Sequence, residues 1–155
     1  MRRAFLIGSG VFAGLVYFSS RRGAPDAPAG HAECKSKLTR QQYYVTRQGG
    51  TDIAFTGTYH LLKDEGIYRC ICCDLELFRS TEKYDSGTGW PSFWAPADPA
   101  AIRTRKDVSL LLERTEVACT RCAAHLGHVF PDGPPPTGQR YCINESALRF
   151  TPVKW

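Results

Sequence analysis

The sequence predicts a mainly β domain, a small antiparallel sandwich or barrel, and three observations point to it. Short apolar runs recur at 66–68, 75–78, 108–112, 116–118, 126–130, 140–144 and 147–150. They are too short for buried helices. Gly, Pro, Asp and Ser bound them, as turn residues bound strands. The 155 residues set one domain as the expectation, and 43% hydrophobic with 23% charged residues excludes a disordered chain.

Taken in order, residues 1–29 read as an address. Arg2-Arg3 precedes an apolar run from 4 to 18, then Arg21-Arg22 and an Ala/Pro-rich stretch. That is the order of a basic region, a hydrophobic region and a small-residue tail, with Ala27-Pro28-Ala29 as a cleavage candidate. The start resembles the twin-arginine export signal of bacteria, which places the protein in the periplasm. The alternatives are an uncleaved inner-membrane anchor through residues 4–20, just long enough to span, and an organelle transit segment. Residues 30–38 read as a linker and 39–155 as the domain. The stretch 39–47 reads as a short helix capped by Thr39, and 85–89 and 131–138 as loops.

The charge is local. The formal net is +5, but four arginines against Asp26 give residues 1–29 a net of +3, leaving +2 to residues 30–155. That balance argues for no nucleic-acid partner.

Seven cysteines are more informative. Cys70-x-x-Cys73 and Cys119-x-x-Cys122 are two knuckles of the spacing that closes a tetrahedral zinc site. Four thiolates leave no open coordination position, so one zinc here is structural. Paired disulfides are the alternative in an oxidising compartment. Cys72, inside the first knuckle, is expected to be a spectator.

Cys142 stands apart. Arg140 and Asn144 flank it at i−2 and i+2, the same face of a strand. A neighbouring cation raises the thiolate fraction of a thiol, and thiolate is the reactive form. His125 and His128 offer acid–base chemistry near neutral pH. The aromatic loop Gly89-Trp90-Pro91-Ser92-Phe93-Trp94 is either core or an apolar wall.

Three ordered motifs then carry a resemblance: Ser86-Gly87-x-Gly89-Trp90-Pro91-Ser92-Phe93, His125-Leu126-Gly127-His128-Val129-Phe130-x-Asp132-Gly133-Pro134, and Gly138-x-Arg140-Tyr141-Cys142-Ile143-Asn144. From about residue 38 to 151 the chain resembles the methionine-R-sulfoxide reductase B family. The resemblance implies two antiparallel sheets, short N-terminal helices, and zinc at the CxxC pairs. It implies that Cys142 attacks the sulfur of methionine-R-sulfoxide in oxidised proteins and peptides and becomes a sulfenic acid, a repair of oxidative damage. His125 and His128 would serve the sulfoxide oxygen. Asn144 and Arg140 would hold the polar end, and Trp90 and Phe130 would form the wall for the methyl group.

Many members carry a resolving cysteine in the first motif, where this chain has Thr88. Three routes then regenerate Cys142: Cys34 swings to it from the N-terminal segment, a thioredoxin-like donor reduces it directly, or Cys72 serves. A zinc-dependent binding module would explain the knuckles but not Cys142 and its neighbours. A thiol hydrolase or peroxidase would need an orienting group that the sequence does not show.

Overall fold

The computed structural model describes residue 34 and residues 36–108 and 113–153. The segment 1–29 lies outside them, as do 30–33 and 35. Within the stretch expected to be a linker, Cys34, Ser36 and Lys37 are helical, and Cys34 is buried. No helix among the described residues is long and apolar enough to cross a membrane.

Helix α1 runs Arg40–Gln48. Thr39 caps it as expected, and reciprocally: the Thr39 hydroxyl accepts from the Gln42 amide, and the Gln42 side chain accepts from the Thr39 amide. This satisfies two amides that the first turn otherwise leaves unpaired. Gly49, at φ 69°, ends the helix in the left-handed conformation that glycine adopts without a Cβ penalty.

Nine strands follow among the described residues: β1 Gly66–Cys70, β2 Glu76–Arg79, β3 Lys83–Tyr84, β4 Ser92–Phe93, β5 Ile102–Asp107, β6 Arg114–Cys119, β7 His125–Phe130, β8 Arg140–Ile143 and β9 Leu148–Pro152. They form two antiparallel sheets, ordered β2-β1-β9 and β3-β4-β8-β7-β6-β5. The predicted class, mainly β in two sheets, is the observed one. Of the expected strands, only 108–112 is not found as such. Val108 is outside any strand, and 109–112 lie outside the described residues.

Strands β3, β4 and β5 were not legible in the sequence. The first two hold two residues each, below any periodicity. β5, Ile-Arg-Thr-Arg-Lys-Asp, is polar because it is the edge of the larger sheet and four of its six residues are exposed. Charge on an edge strand discourages pairing with another chain.

The core lies between the sheets. Phe78 of β2 stacks on Phe93 of β4 at 4.4 Å, and Tyr68 of β1 meets Phe93 edge-on at 5.0 Å. All three are fully buried, with Leu77, Val117, Leu126 and Ile143. Each such side chain contributes about 1.5–3 kcal/mol through burial. Phe93, two residues after Pro91, thus fixes the aromatic loop to the core. The outcome for that loop is divided: Phe93 is core, and Trp90 is half-buried and faces a cleft.

Candidate active site and metal centre

Cys142 lies on β8 between β4 and β7. It pairs with Ser92 on one side and with His128 on the other. Directly opposed residues of antiparallel strands share a face, so the register itself carries a hydroxyl, a thiol and an imidazole to one surface. Gly127 permits it. A Cβ on Gly127, whose φ is 157°, would lie 2.1 Å from the Cys142 carbonyl oxygen. Glycine inside a strand often marks such close approach.

The i, i+3 spacing of the two histidines would normally put them on opposite faces of a strand. A β-bulge opposite Val117 and Ala118 changes that. The two rings meet at 5.4 Å, near perpendicular. Their roles differ in space. His128 lines the cleft with Cys142, whereas His125 lies behind it, its Nδ1 2.7 Å from Glu116 Oε1. His128 Nε2 is 2.8 Å from Asp107 Oδ2, which also accepts from Arg114. Burial lowers the His128 pKa, and Asp107 only partly offsets it, so this imidazole is neutral near pH 7.

The cleft is about 110 Å³ and is lined by Thr51, Trp90, Arg114, Gly127, His128, Phe130, Cys142 and Asn144. That is room for about four water-sized volumes. Five of the eight were expected from the sequence. Asn144 sits one residue past β8. Its carboxamide Nδ2 donates to the Leu126 carbonyl (3.0 Å) and its Oδ1 accepts from the Asp52 amide (2.8 Å), so both halves of the amide are tied to backbone. Trp90 Nε1 donates to the Asp52 carbonyl at 3.0 Å, which fixes the plane of the indole.

Arg140 stays beside Cys142, as its place on the strand predicts, and has further partners of its own. It forms a two-pronged ion pair with Asp132 (2.8 and 2.9 Å) and lies 4.4 Å over the Phe130 ring. It is not among the residues that line the cleft, yet it reaches the Cys142 thiol. Its effect on the thiol differs from the expected one. Burial pushes the Cys142 thiol above its ordinary pKa, and Arg140 and the Thr88 hydroxyl offset this only in part. The expected depression by a neighbouring cation is present but loses to desolvation, so the resting thiol is protonated. Thr88 is placed for this by hydrogen bonds running Thr88–Ser86–Ser92, at 2.8 and 2.7 Å.

Thr51, Arg114 and Gly127 were missed, and so was Asp107. Thr51 and Arg114 lie far from Cys142 in the chain and carry no local mark. Gly127, a glycine inside an apolar run between two histidines, was a readable sign.

Cys70, Cys73, Cys119 and Cys122 come together as the spacing requires. Their sulfurs all lie within 4.8 Å of one another, with Cys70 to Cys122 at 3.6 Å and Cys73 to Cys119 at 3.5 Å. The two knuckles have the same build. In the first, Cys70 N donates to Leu75 O and Asp74 N to Cys70 O; in the second, Cys119 N donates to Ala124 O and Ala123 N to Cys119 O. Asp74 and Ala123, each one residue after its knuckle, have φ near +60°. Sulfurs this close share protons unequally: their mutual hydrogen bonds push Cys70 and Cys119 up and pull Cys73 and Cys122 down, so the four do not ionise together. A thiophilic cation at the centre removes that conflict, and the donor set fits one.

Cys34 and Cys72 are joined in a disulfide. This corrects one expectation, since Cys72 is not a bystander. Cys34, in this structure, is bonded to Cys72 and not to Cys142. Arg47 holds the same spot, donating to the Cys122 carbonyl (2.8 Å) and to Cys72 Sγ (3.0 Å).

Comparison with known proteins agrees with this geometry. The SelR domain family matches residues 38–152. A protein named peptide methionine sulfoxide reductase MsrB from Synechococcus sp. (strain RCC307) is 57% identical over 122 residues, covering 79% of this chain and 90% of that one. One of the same name from Hahella chejuensis is 56% identical over 118 residues, 76% and 85% of the two chains. Another from Pseudomonas aeruginosa (strain UCBPP-PA14) is 54% identical over 118 residues, 76% and 89%. With these matches over most of its length, the chain belongs to the SelR, or methionine-R-sulfoxide reductase B, family and is an oxidoreductase.

Proposed function

We propose that this enzyme reduces the R epimer of methionine sulfoxide to methionine, in oxidised proteins and peptides and in the free amino acid, with Cys142 as nucleophile. The observation that carries the reading is one thiol opening into a small cleft that also holds an imidazole, a tied carboxamide and two aromatic rings. Trp90 and Phe130 offer an apolar wall for the methyl group. His128 and the Asn144 amide offer polar partners to the sulfoxide oxygen. The mirror epimer would exchange methyl and oxygen, pressing the oxygen on the rings and leaving it unpaired.

The chemistry follows from the protonated thiol. Cys142 sulfur attacks the sulfoxide sulfur while its proton passes, by way of neutral His128, to the sulfoxide oxygen. Arg140 and the Thr88 hydroxyl, the two groups that pull the thiol down against burial, stabilise the thiolate as it forms. The oxygen ends on Cys142 as a sulfenic acid. The substrate sulfur gains two electrons and the thiol sulfur loses two.

Regeneration needs a donor. Cys34 is paired with Cys72 and the other four cysteines form the cluster, which favours direct attack on the sulfenic acid by an external, thioredoxin-like dithiol. Two thiols then give a disulfide, water and free Cys142. The clustered metal is taken to be a single zinc. Four sulfur ligands leave it no open position, so it holds the fold and takes no part in the reaction. Export to the periplasm, by residues 1–29, is part of the same proposal. It is tested by sequencing the N-terminus of the protein from that compartment.

The deciding experiment is an epimer-resolved chromatographic assay on dabsyl-methionine sulfoxide with dithiothreitol. The R epimer is consumed, the S epimer is not, and a sulfenic-acid trap marks Cys142 after a single turnover without reductant. Turnover persisting in Cys142→Ser, or preference for the S epimer, would falsify the proposal.

A further inference from the structure

The cleft at Cys142 is one end of a longer depression. Thr51 and Trp90 line both the cleft and a second groove, about 650 Å³, on the other side of the indole. Tyr44 of α1 and Ile53 form part of its walls, and Glu145 and Asp52 contribute carboxylates.

The charge of this groove is one-sided. Asp52 and Glu145 are the only formally charged residues lining it. Both bond only to neutral donors. Asp52 accepts from the Gln41 side chain and from the hydroxyl and amide of Ser146. Glu145 accepts from the Thr58 hydroxyl and the Tyr59 amide. These bonds fix the carboxylates without cancelling their charge. Among the described residues neither has a cationic partner. At the cleft end Arg114 is paired with Asp107, so the uncompensated charge of the depression lies in the groove. Tyr44 is 46% and Ile53 76% exposed, so apolar surface lies beside the acids. That pairing of apolar surface and carboxylate suits the long stem and charged head of lysine or arginine.

We infer that this groove binds the residues flanking an oxidised methionine and selects basic ones. The inference rests on the reductase reading and adds a sequence preference to it. With the sulfoxide side chain in the cleft, chain neighbours one or two positions away lie within about 7 Å along an extended peptide, so the backbone passes Trp90 and enters the groove. A lysine or arginine there meets two fixed, uncompensated carboxylates. A glutamate or aspartate meets the same two and is repelled.

The test uses the full chain and R-epimer pentapeptides with the sulfoxide at the centre, flanked on both sides by Lys, Gln or Glu. N-acetyl-methionine sulfoxide, which cannot reach the groove, serves as reference. The expected order of kcat/KM is Lys over Gln over Glu. Lys exceeds Glu by about fivefold, the scale of partly exposed ion pairs, and the ratio shrinks as salt is raised. Glu145→Gln contracts the Lys-to-Glu ratio, and a ratio within one enzyme cancels any loss of folded protein. Ile53→Lys, a change at an exposed position, does the same by adding a cation. Equal rates for the three peptides, or a ratio unmoved by both substitutions, would overturn the inference and leave the reductase reading standing. Failure to reduce any peptide and the N-acetyl amino acid alike would remove the reductase reading, and this inference with it.

Discussion

The metal knuckles and the catalytic cleft are assembled by opposite means. Each knuckle is a local object. Two cysteines three apart, internal backbone hydrogen bonds and one left-handed residue bring two sulfurs together within a few residues. Only the docking of two like turns is tertiary. The cleft has no local part. Cys142, His128 and Trp90 come from β8, β7 and the loop before β4, and Thr51 and Arg114 from still further away. Register, one bulge and one glycine decide whether they meet. A spacing rule can therefore find the first site completely, whereas the second needs the sheet.

If this contrast is right, the two regions fail differently when cut. The largest effect is expected at Cys119→Ser. A structural zinc site of this kind is worth about 10–16 kcal/mol, as much as the whole stability of a small domain. Metal analysis should find about one zinc per chain in the parent and none in the variant, and circular dichroism should show no cooperative transition. A folded, metal-free variant would break the comparison.

The cleft should fail chemically and not structurally. His128→Ala is expected to lower kcat by about 10²–10⁴ while the variant keeps its metal and its fold. Loss of metal together with activity would show that the cleft and the knuckles are one unit.

Between the two regions sits the Cys34–Cys72 disulfide. It closes a loop of 38 residues, so Cys34→Ser should cost about 2–4 kcal/mol in unfolding measured without reductant. Thioredoxin-dependent turnover should survive. Collapse of that turnover, with dithiothreitol activity intact, would instead make Cys34 the resolving residue.

The smallest effect sharpens the electrostatics of the cleft. Alkylation of Cys142, followed by peptide mapping, should rise with pH through a midpoint above that of an ordinary cysteine. The sign follows from burial. The folded thiol ionises later than the unfolded one, so its contribution to stability is complete below the unfolded pKa and is lost as pH rises towards the folded value. A midpoint below that of an ordinary cysteine would mean that Arg140 outweighs desolvation.

Much of this molecule was legible before its structure. The Thr39 cap, the strands around 66, 116, 126, 140 and 148, the loops at 85–89 and 131–138, and the four-cysteine cluster follow from residue types at fixed separations. Trp90, Phe130, His128, Cys142 and Asn144 were legible through their motifs and share one cleft. The partners of Arg140 were not legible, because alternation along a strand gives the face of a side chain and not what it bonds. Asp132 and Phe130 capture it from the neighbouring loop and strand. The direction of the Cys142 shift was missed for a related reason: a cation two residues away is visible in the sequence, but the depth of burial is not.

Covalent spacing and local turn chemistry settled, from the chain alone, the strand-rich class, the helix cap and the cation-binding knuckles, because each depends on residues within a few positions of one another. The tertiary structure alone decided which imidazole faces the thiol, that Cys34 bonds Cys72, and that Arg114 and Thr51 belong to the cleft. It also decided that a groove with two uncompensated carboxylates adjoins it. Those outcomes turn on strand register and on how much water each group loses, and both are set only when distant segments pack together.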